Sequence, residues 1–191
     1  MNPHSRLRFA LGAIRHPSQA WRRFRELARI ALAPSLGDRV ASDALADVEL
    51  IPVESDESLQ GILIAMYSDN PSPFVEGPKS AELLQENLGR GLRFFLIVNG
   101  EKEYVGARAF NPSMKTLQNT VTDYRHRGKG YQLAAGSKLM KFLAKEGHTE
   151  FHALVLRTNT RIQRTMHAAG WEMEPDPDNP NMIRGTLRLD V

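Results

Sequence analysis

The chain has 191 residues, 41% of them apolar and 25% charged, which suits one globular domain with an appendage and excludes a disordered composition. It has no cysteine, which excludes disulfides, thiolate nucleophiles and cysteine-ligated zinc and fits a reducing cytoplasm. The net charge of +3 is uneven: residues 1–40 hold eight arginines against Glu26 and Asp38, and the rest of the chain carries a net negative charge.

The first forty residues read as two short amphipathic helices. Leu7, Ala10, Leu11 and Ile14 share one face of the first, and His16-Pro17 interrupts it. Trp21, Phe24, Leu27, Ala28 and Ala31 line one side of the second, with Arg22, Arg25 and Arg29 on another, until Pro34 and Gly37. This basic arm over residues 1–40 supports three readings. It packs on the main domain or on a second copy of the chain, it lies on an anionic membrane surface, or it is an organellar targeting segment. No aromatic platform or motif points to nucleic acid. No apolar run approaches the roughly 18 residues of a membrane-spanning helix. The expected location is cytoplasmic, with peripheral membrane attachment through the arm as the variant.

After an acidic linker the pattern changes, and a second region is expected over residues 47–191. Val48 to Val53 suggests a strand. Asp56 to Ser68 reads as a helix, with Leu59, Ile62, Leu63 and Met66 three and four apart. Asn70-Pro71-Ser72-Pro73 is a loop, and Ser80 caps a second helix running to Arg90. Strands follow at Arg93 to Val98 and Tyr104 to Phe110, joined by an Asn99-Gly100 hairpin turn. Asn111-Pro112-Ser113 turns again into a strand from Thr116 to Asp123. A long helix from about Gly130 to Lys145 is stopped by Gly147. Phe151 to Leu156 is a strand and Thr160 to Ala169 a helix ended by Gly170. Short strands near Trp171 and from Met182 to Val191 complete the chain. This order predicts an α+β fold with a twisted, largely antiparallel sheet and one strand–helix–strand unit.

The segment richest in chemistry is Thr120-Val121-Thr122-Asp123-Tyr124-Arg125-His126-Arg127-Gly128-Lys129-Gly130, set between a strand and a long helix. A glycine-containing strand-to-helix turn exposes backbone N–H groups without helical partners, which with the positive helix end suits phosphate oxygens. Arg125, Arg127 and Lys129 add charge, and Gly128 and Gly130 let the backbone approach a ligand. Lys129 is followed by Gly130 rather than Ser or Thr, so this is no Walker loop, and the G-x-G-x-x-G of dinucleotide folds is absent.

These residues resemble the GNAT superfamily of N-acetyltransferases. Arg125, Gly128 and Gly130 match its R/Q-x-x-G-x-G/A pyrophosphate loop, with Tyr124 at the preceding aromatic position. Asn159, Gly170 and Trp171 match a second family pattern of asparagine, then glycine eleven positions later, then an aromatic. The resemblance is carried by residues 120–171, extends by element order to 47–191, and leaves out residues 1–40. It implies a GNAT-like acyl-CoA-binding domain, with acetyl-CoA as cosubstrate and an amine of a small molecule or protein as acceptor. It implies a pantetheine arm beside Thr120, Val121 and Thr122, and a pyrophosphate on the amides from Arg125 through His126, Arg127, Gly128, Lys129 and Gly130 to Tyr131. It also implies a contact from Asn159 to the pantetheine side. The variants are an N-acyltransferase using another acyl-CoA, or a noncatalytic CoA-binding or membrane-associated protein.

One position departs from the family. Met166 stands seven residues after Asn159, where many members keep the tyrosine that protonates the leaving thiolate, and His167 is turned about 100° away along a helix. No general base is assigned. Asp123 reads as a local structural group, His152 as a structural histidine, and Tyr67, Asp69 and Glu76 fall in the segment that commonly shapes the acceptor site in the family. No histidine–carboxylate spacing supports a metal site.

Overall fold

In the computed structural model, residues 47–71 and 77–189 are described. The arm over residues 1–40, Glu76 and the last two residues of the expected final strand lie outside them. Seven strands and four α-helices run in the order β1 (Val48–Val53), α1 (Glu57–Asp69), α2 (Ala81–Gly89), β2 (Arg93–Asn99), β3 (Tyr104–Asn111), β4 (Thr116–Thr122), α3 (Tyr131–Lys145), β5 (Glu150–Leu156), α4 (Thr160–Ala168), β6 (Glu172–Pro175) and β7 (Met182–Arg188). The sheet order is β1-β2-β3-β4-β5-β7-β6. Every neighbouring pair is antiparallel except β4 and β5, which are parallel. The α+β expectation holds.

Alternation along β2 explains the layering. Phe94 and Leu96 point to one face and join Leu63, Met66 and Tyr67 of α1 and Leu84 of α2. Phe95 points to the other face with Phe110 and Leu117, against Leu139, Met140 and Leu143 of α3 and against Phe151, Trp171 and Leu187. Full burial of each such side chain is worth about 1.5–3 kcal/mol. Helix α1 begins at Asp56, whose carboxylate accepts from the N–H groups of Ser58 (2.9 Å) and Leu59 (3.2 Å), and Ser80 caps α2 through the N–H of Leu83.

Several boundaries differ from the sequence expectation. Trp171 precedes β6 and is a buried core residue. The final strand ends at Arg188. The β2–β3 connection is longer than a two-residue Asn-Gly turn. Asn99 organises it with its side chain, accepting from the N–H groups of Glu101 (3.0 Å) and Glu103 (2.9 Å), and the left-handed residue is Lys102 at φ 63°. Asn111 does the same in the next turn, accepting from Ser113 Oγ and the Met114 N–H, with Lys115 at φ 52°.

Candidate functional site: a split sheet and a glycine loop

The sheet is open at its centre. Strands β4 and β5 meet at one register pair, Thr116 with His152, supported by the His152 N–H donating to the Lys115 carbonyl at 2.8 Å. Beyond that pair the two strands separate, so from Leu117 to Thr122 the outer edge of β4 has no strand beside it among the described residues. A bulge accompanies the split. Ala107 pairs with Val121 and Ala109 with Gln118, which leaves Asn119 and Thr120 together opposite Arg108. Asn119 adopts φ 51°, an αL conformation that asparagine tolerates better than most residues.

The bulge is held from both faces. On the α1 side, the buried Tyr67 hydroxyl donates to the Asn119 carbonyl. Burial pushes the Tyr67 phenol well above its ordinary range, while Arg108 pulls it back, so the phenol stays neutral. Gly77 lies so close to the Tyr67 ring that a Cβ there would sit 2.0 Å from a ring carbon. On the α3 side, the Gln132 side-chain amide donates to the carbonyls of Val121 and Ala107, tying the first turn of α3 to β3 and β4. Gly106 makes this possible, because a Cβ there would lie 2.5 Å from the Val121 oxygen and 2.8 Å from Gln132 Nε2.

After β4 the chain forms a 3-10 turn at Tyr124–His126, then extends into α3. Asp123 organises this entry. Its carboxylate accepts from the Arg125 N–H (2.8 Å) and from Arg125 Nε (3.0 Å) and Nη2 (2.8 Å). The Arg125 guanidinium thereby holds the buried Asp123 carboxyl at about 2. The local structural reading of Asp123 fits this geometry. Asn70 at the end of α1 is buried, donates to the Met66 carbonyl (3.0 Å) and accepts from the Tyr124 N–H (2.8 Å), pinning the loop to α1.

The expected phosphate-binding residues divide into two groups. The N–H groups of Arg125 and His126 are already bonded to Asp123. Those of Arg127, Gly128, Lys129, Gly130, Tyr131 and Gln132 have no protein partner among the described residues. Gly128 and Gly130 adopt φ 76° and 87°, which L side chains rarely do, and a Cβ at either would meet open space. The Arg127, Lys129 and Arg125 side chains are exposed around this array, whereas His126 is buried, with Nδ1 3.4 Å from Lys129 Nζ. The combination is a row of undirected donors and cations at a helix N-terminus, suited to a diphosphate.

Across the split, Asn159 is the N-cap of α4, its Oδ1 accepting from the Ile162 N–H at 3.3 Å. Its side-chain nitrogen makes no hydrogen bond among the described residues. Met166 is half-buried and packs against the core. Its Cε, Met173 Sδ and Trp171 Cε3 all converge on the face of Gly185, within 2.7–3.1 Å of where a Cβ would be. His167 is exposed on α4. His152 touches Thr186 Oγ1 (3.1 Å) and Glu150 (3.3 Å), and Asp69 is exposed at the end of α1. No group of histidines and carboxylates among the described residues could hold a metal ion, and no helix among them is long and apolar enough to cross a membrane.

Four contributors escaped the sequence reading: Asn70, Arg108, Asn119 and Gln132. The visible signal was Arg108, a charge inside the otherwise apolar stretch Val105-Gly-Ala-Arg-Ala-Phe110.

No family model matches the sequence, and no curated relative matches it. Solved structures do match in fold. One is the ribosomal-protein-S18-alanine N-acetyltransferase of Escherichia coli, at 16% identity and TM-score 0.58, covering 76% of this chain and 96% of that one. Another is a GNAT family acetyltransferase of Elizabethkingia anophelis with acetyl-CoA bound, at 13% identity and TM-score 0.54, covering 74% of this chain and 98% of that one. Mutant forms of a Vibrio cholerae spermidine/spermine N-acetyltransferase match at 15% identity and TM-score 0.55, covering 74% and 93%. The chain has the GNAT acetyltransferase fold.

Proposed function

We propose that this GNAT-fold chain is an acetyl-CoA-dependent N-acetyltransferase acting on an amine of a small molecule or protein. The observation that carries the reading is the coincidence of the split between β4 and β5 with the row of unpaired amides from Arg127 to Gln132. A nucleotide diphosphate suits that row, and an amide-bearing arm suits the bare edge of β4, where it can pair as an added strand would. Acetyl-CoA supplies an activated acyl thioester when bound.

The roles follow from which polar groups are still free. Arg127, Gly128, Lys129, Gly130 and Tyr131 hold the pyrophosphate through their backbone, with the Arg125, Arg127 and Lys129 side chains providing countercharge. Arg125 and His126 shape the loop more than they donate, because Asp123 holds their amides. Thr120, Val121 and Thr122 flank the arm, with Val121 and Thr122 contributing less through their carbonyls, which accept from Gln132 and from Arg127 Nε. Asn159 reaches the arm with its side-chain nitrogen.

The attacking amine must be neutral, and the departing thiolate needs a proton. A thiol has an ordinary pKa near 8.5, so water can supply that proton at neutral pH at some cost in rate. Met166 cannot supply it, being a thioether packed against Gly185. Residues 47–191 form the acyl-CoA-binding unit and residues 1–40 an appended arm that attaches the protein to a membrane surface or to a second copy.

Gly128→Glu places a carboxylate among the free amides, and calorimetry should show CoA affinity falling at least about 100-fold while the protein remains folded. Unchanged affinity would exclude the loop as the binding site. Thiol release from acetyl-CoA with a panel of amines tests catalysis, and tight CoA binding without release would favour the noncatalytic binder.

A further inference from the structure

Among the described residues, Arg108 is a buried cation with no carboxylate partner. Its Nη1 donates to the Gln132 backbone carbonyl at 3.3 Å, and its Nε has no partner. Among the described residues no acidic side chain lies within ion-pairing distance, and the ionisable neighbour that acts on it, the Tyr67 phenol, carries no charge at neutral pH. The guanidinium fits against α3 because residue 136 is glycine, where a Cβ would be 2.6 Å from Nη1. A buried ion is costly unless it is paired, and the protein has accommodated this one with a glycine rather than neutralised it.

Its position gives the unpaired charge a direction. Arg108 stands opposite the Asn119–Thr120 bulge on the α3 side of the sheet. Gln132, which it touches, bonds the Val121 carbonyl on the stretch of β4 that has no strand beyond it. Gln132 Oε1 is also buried and unpartnered. An orphan donor and an orphan acceptor, both buried, therefore belong to neighbouring residues between β3 and α3, and Gln132 ties them to β4 next to the split.

We propose that Arg108, with Gln132 beside it, is a carboxylate-recognition site at the floor of the β4–β5 cleft. The ligand group that reaches it carries a carboxylate near the reacting centre, either on the acyl chain of the thioester or on the amine acceptor. This rests on the acyltransferase reading and narrows its substrate class. A carboxylate supplies the two-oxygen acceptor that a guanidinium matches, and an N–H adjacent to it satisfies Gln132 Oε1. Burial lowers the Arg108 pKa to about 10, so the guanidinium is still charged at neutral pH.

Two arms separate the sources, both using the full chain. In the first, calorimetry compares succinyl-CoA with acetyl-CoA. In the second, thiol release from acetyl-CoA compares α-amino acids with their decarboxylated amines. A charge-assisted pair in a buried site should give at least about a tenfold preference for the carboxylate form in one arm. Arg108→Gln should bring that ratio to near one, and Arg108→Lys should retain part of it. The ratio is taken between two ligands of one preparation, so a partial loss of folded protein cancels. A wild-type ratio near one in both arms overturns the proposal, as does a preference that survives in Arg108→Gln. A single water bridging Nε and Oε1 would give the first of these results. If wild-type protein binds no CoA, the acyltransferase reading falls as well; if it binds CoA and releases thiol without a carboxylate preference, only this inference falls.

Discussion

Glycines are used in opposite ways at the two ends of the cleft. In the loop, Gly128 and Gly130 have positive φ and nothing where a Cβ would go, so the missing side chain leaves room for something outside the chain. At the bulge, Gly77, Gly106 and Gly136 have the space of their Cβ already filled by Tyr67, by Val121 and Gln132, and by Arg108. The first kind leaves open space and the second serves packing. A glycine-to-alanine series should therefore separate binding from stability along a single site.

The largest effect is expected at Gly106→Ala. A central strand cannot move away from the Val121 oxygen, so denaturant unfolding should show a loss of about 3 kcal/mol. A loss under 0.5 kcal/mol, on the order of an ordinary surface change, would mean that the strands relax and that the bulge is not tightly built. Gly128→Ala should cost about 1 kcal/mol from the left-handed backbone alone, with the greater change in CoA affinity. If stability suffers more than affinity, the contrast between the two ends is wrong.

How far each end could be read from sequence follows from the same contrast. The shape of the loop was legible because it depends on residue types at fixed spacing, with glycine at 128 and 130 in the left-handed region and cations beside them. The strands and helices were legible from periodicity to within a residue or two, apart from the end of the last strand. The bulge was not, because Gln118-Asn-Thr120 has no distinguishing composition and its irregularity exists only in register with Ala107 and Ala109. Arg108 was visible as a charge among alanines, yet its meaning depended on Gly136, 28 positions later. Met166 was placed by spacing, but its packing against Gly185 needed the strand order. Glu76 and residues 1–40 lie outside the described residues.

Asp123 sharpens the comparison on the loop side. Its folded pKa is depressed, so its contribution is complete above the unfolded carboxylate value near 3.9 and disappears as pH falls toward about 2. With Arg125 two-thirds exposed, the screened contribution is about 1 kcal/mol. Asp123→Asn should lose about that much at pH 7 and show a shallower acid decline between pH 4 and pH 2. An unchanged acid limb would mean that the Arg125 pair forms no part of the loop's stability.

Deleting residues 1–40 should leave CoA affinity within about twofold of the full chain, since every group assigned to the cleft lies later; an effect of 1.4 kcal/mol would already be tenfold. The smallest change is expected for Arg90→Ala at the C-cap of α2, whose partner Glu86 is exposed, at no more than about 0.5 kcal/mol. That variant sets the baseline against which the others are judged.

The single register pair between Thr116 and His152 also has a mechanical meaning. Hydrogen bonds make a sheet stiff across its strands, and here that stiffness is interrupted along one line, leaving two leaves on a common pin. A molecule laid in the gap with amides toward both edges would restore the missing rungs and act as a splint. Amide hydrogen exchange along Leu117–Thr122 and Ala153–Leu156 should then slow together when CoA is added, and the two leaves should report as one cooperative unit only in its presence.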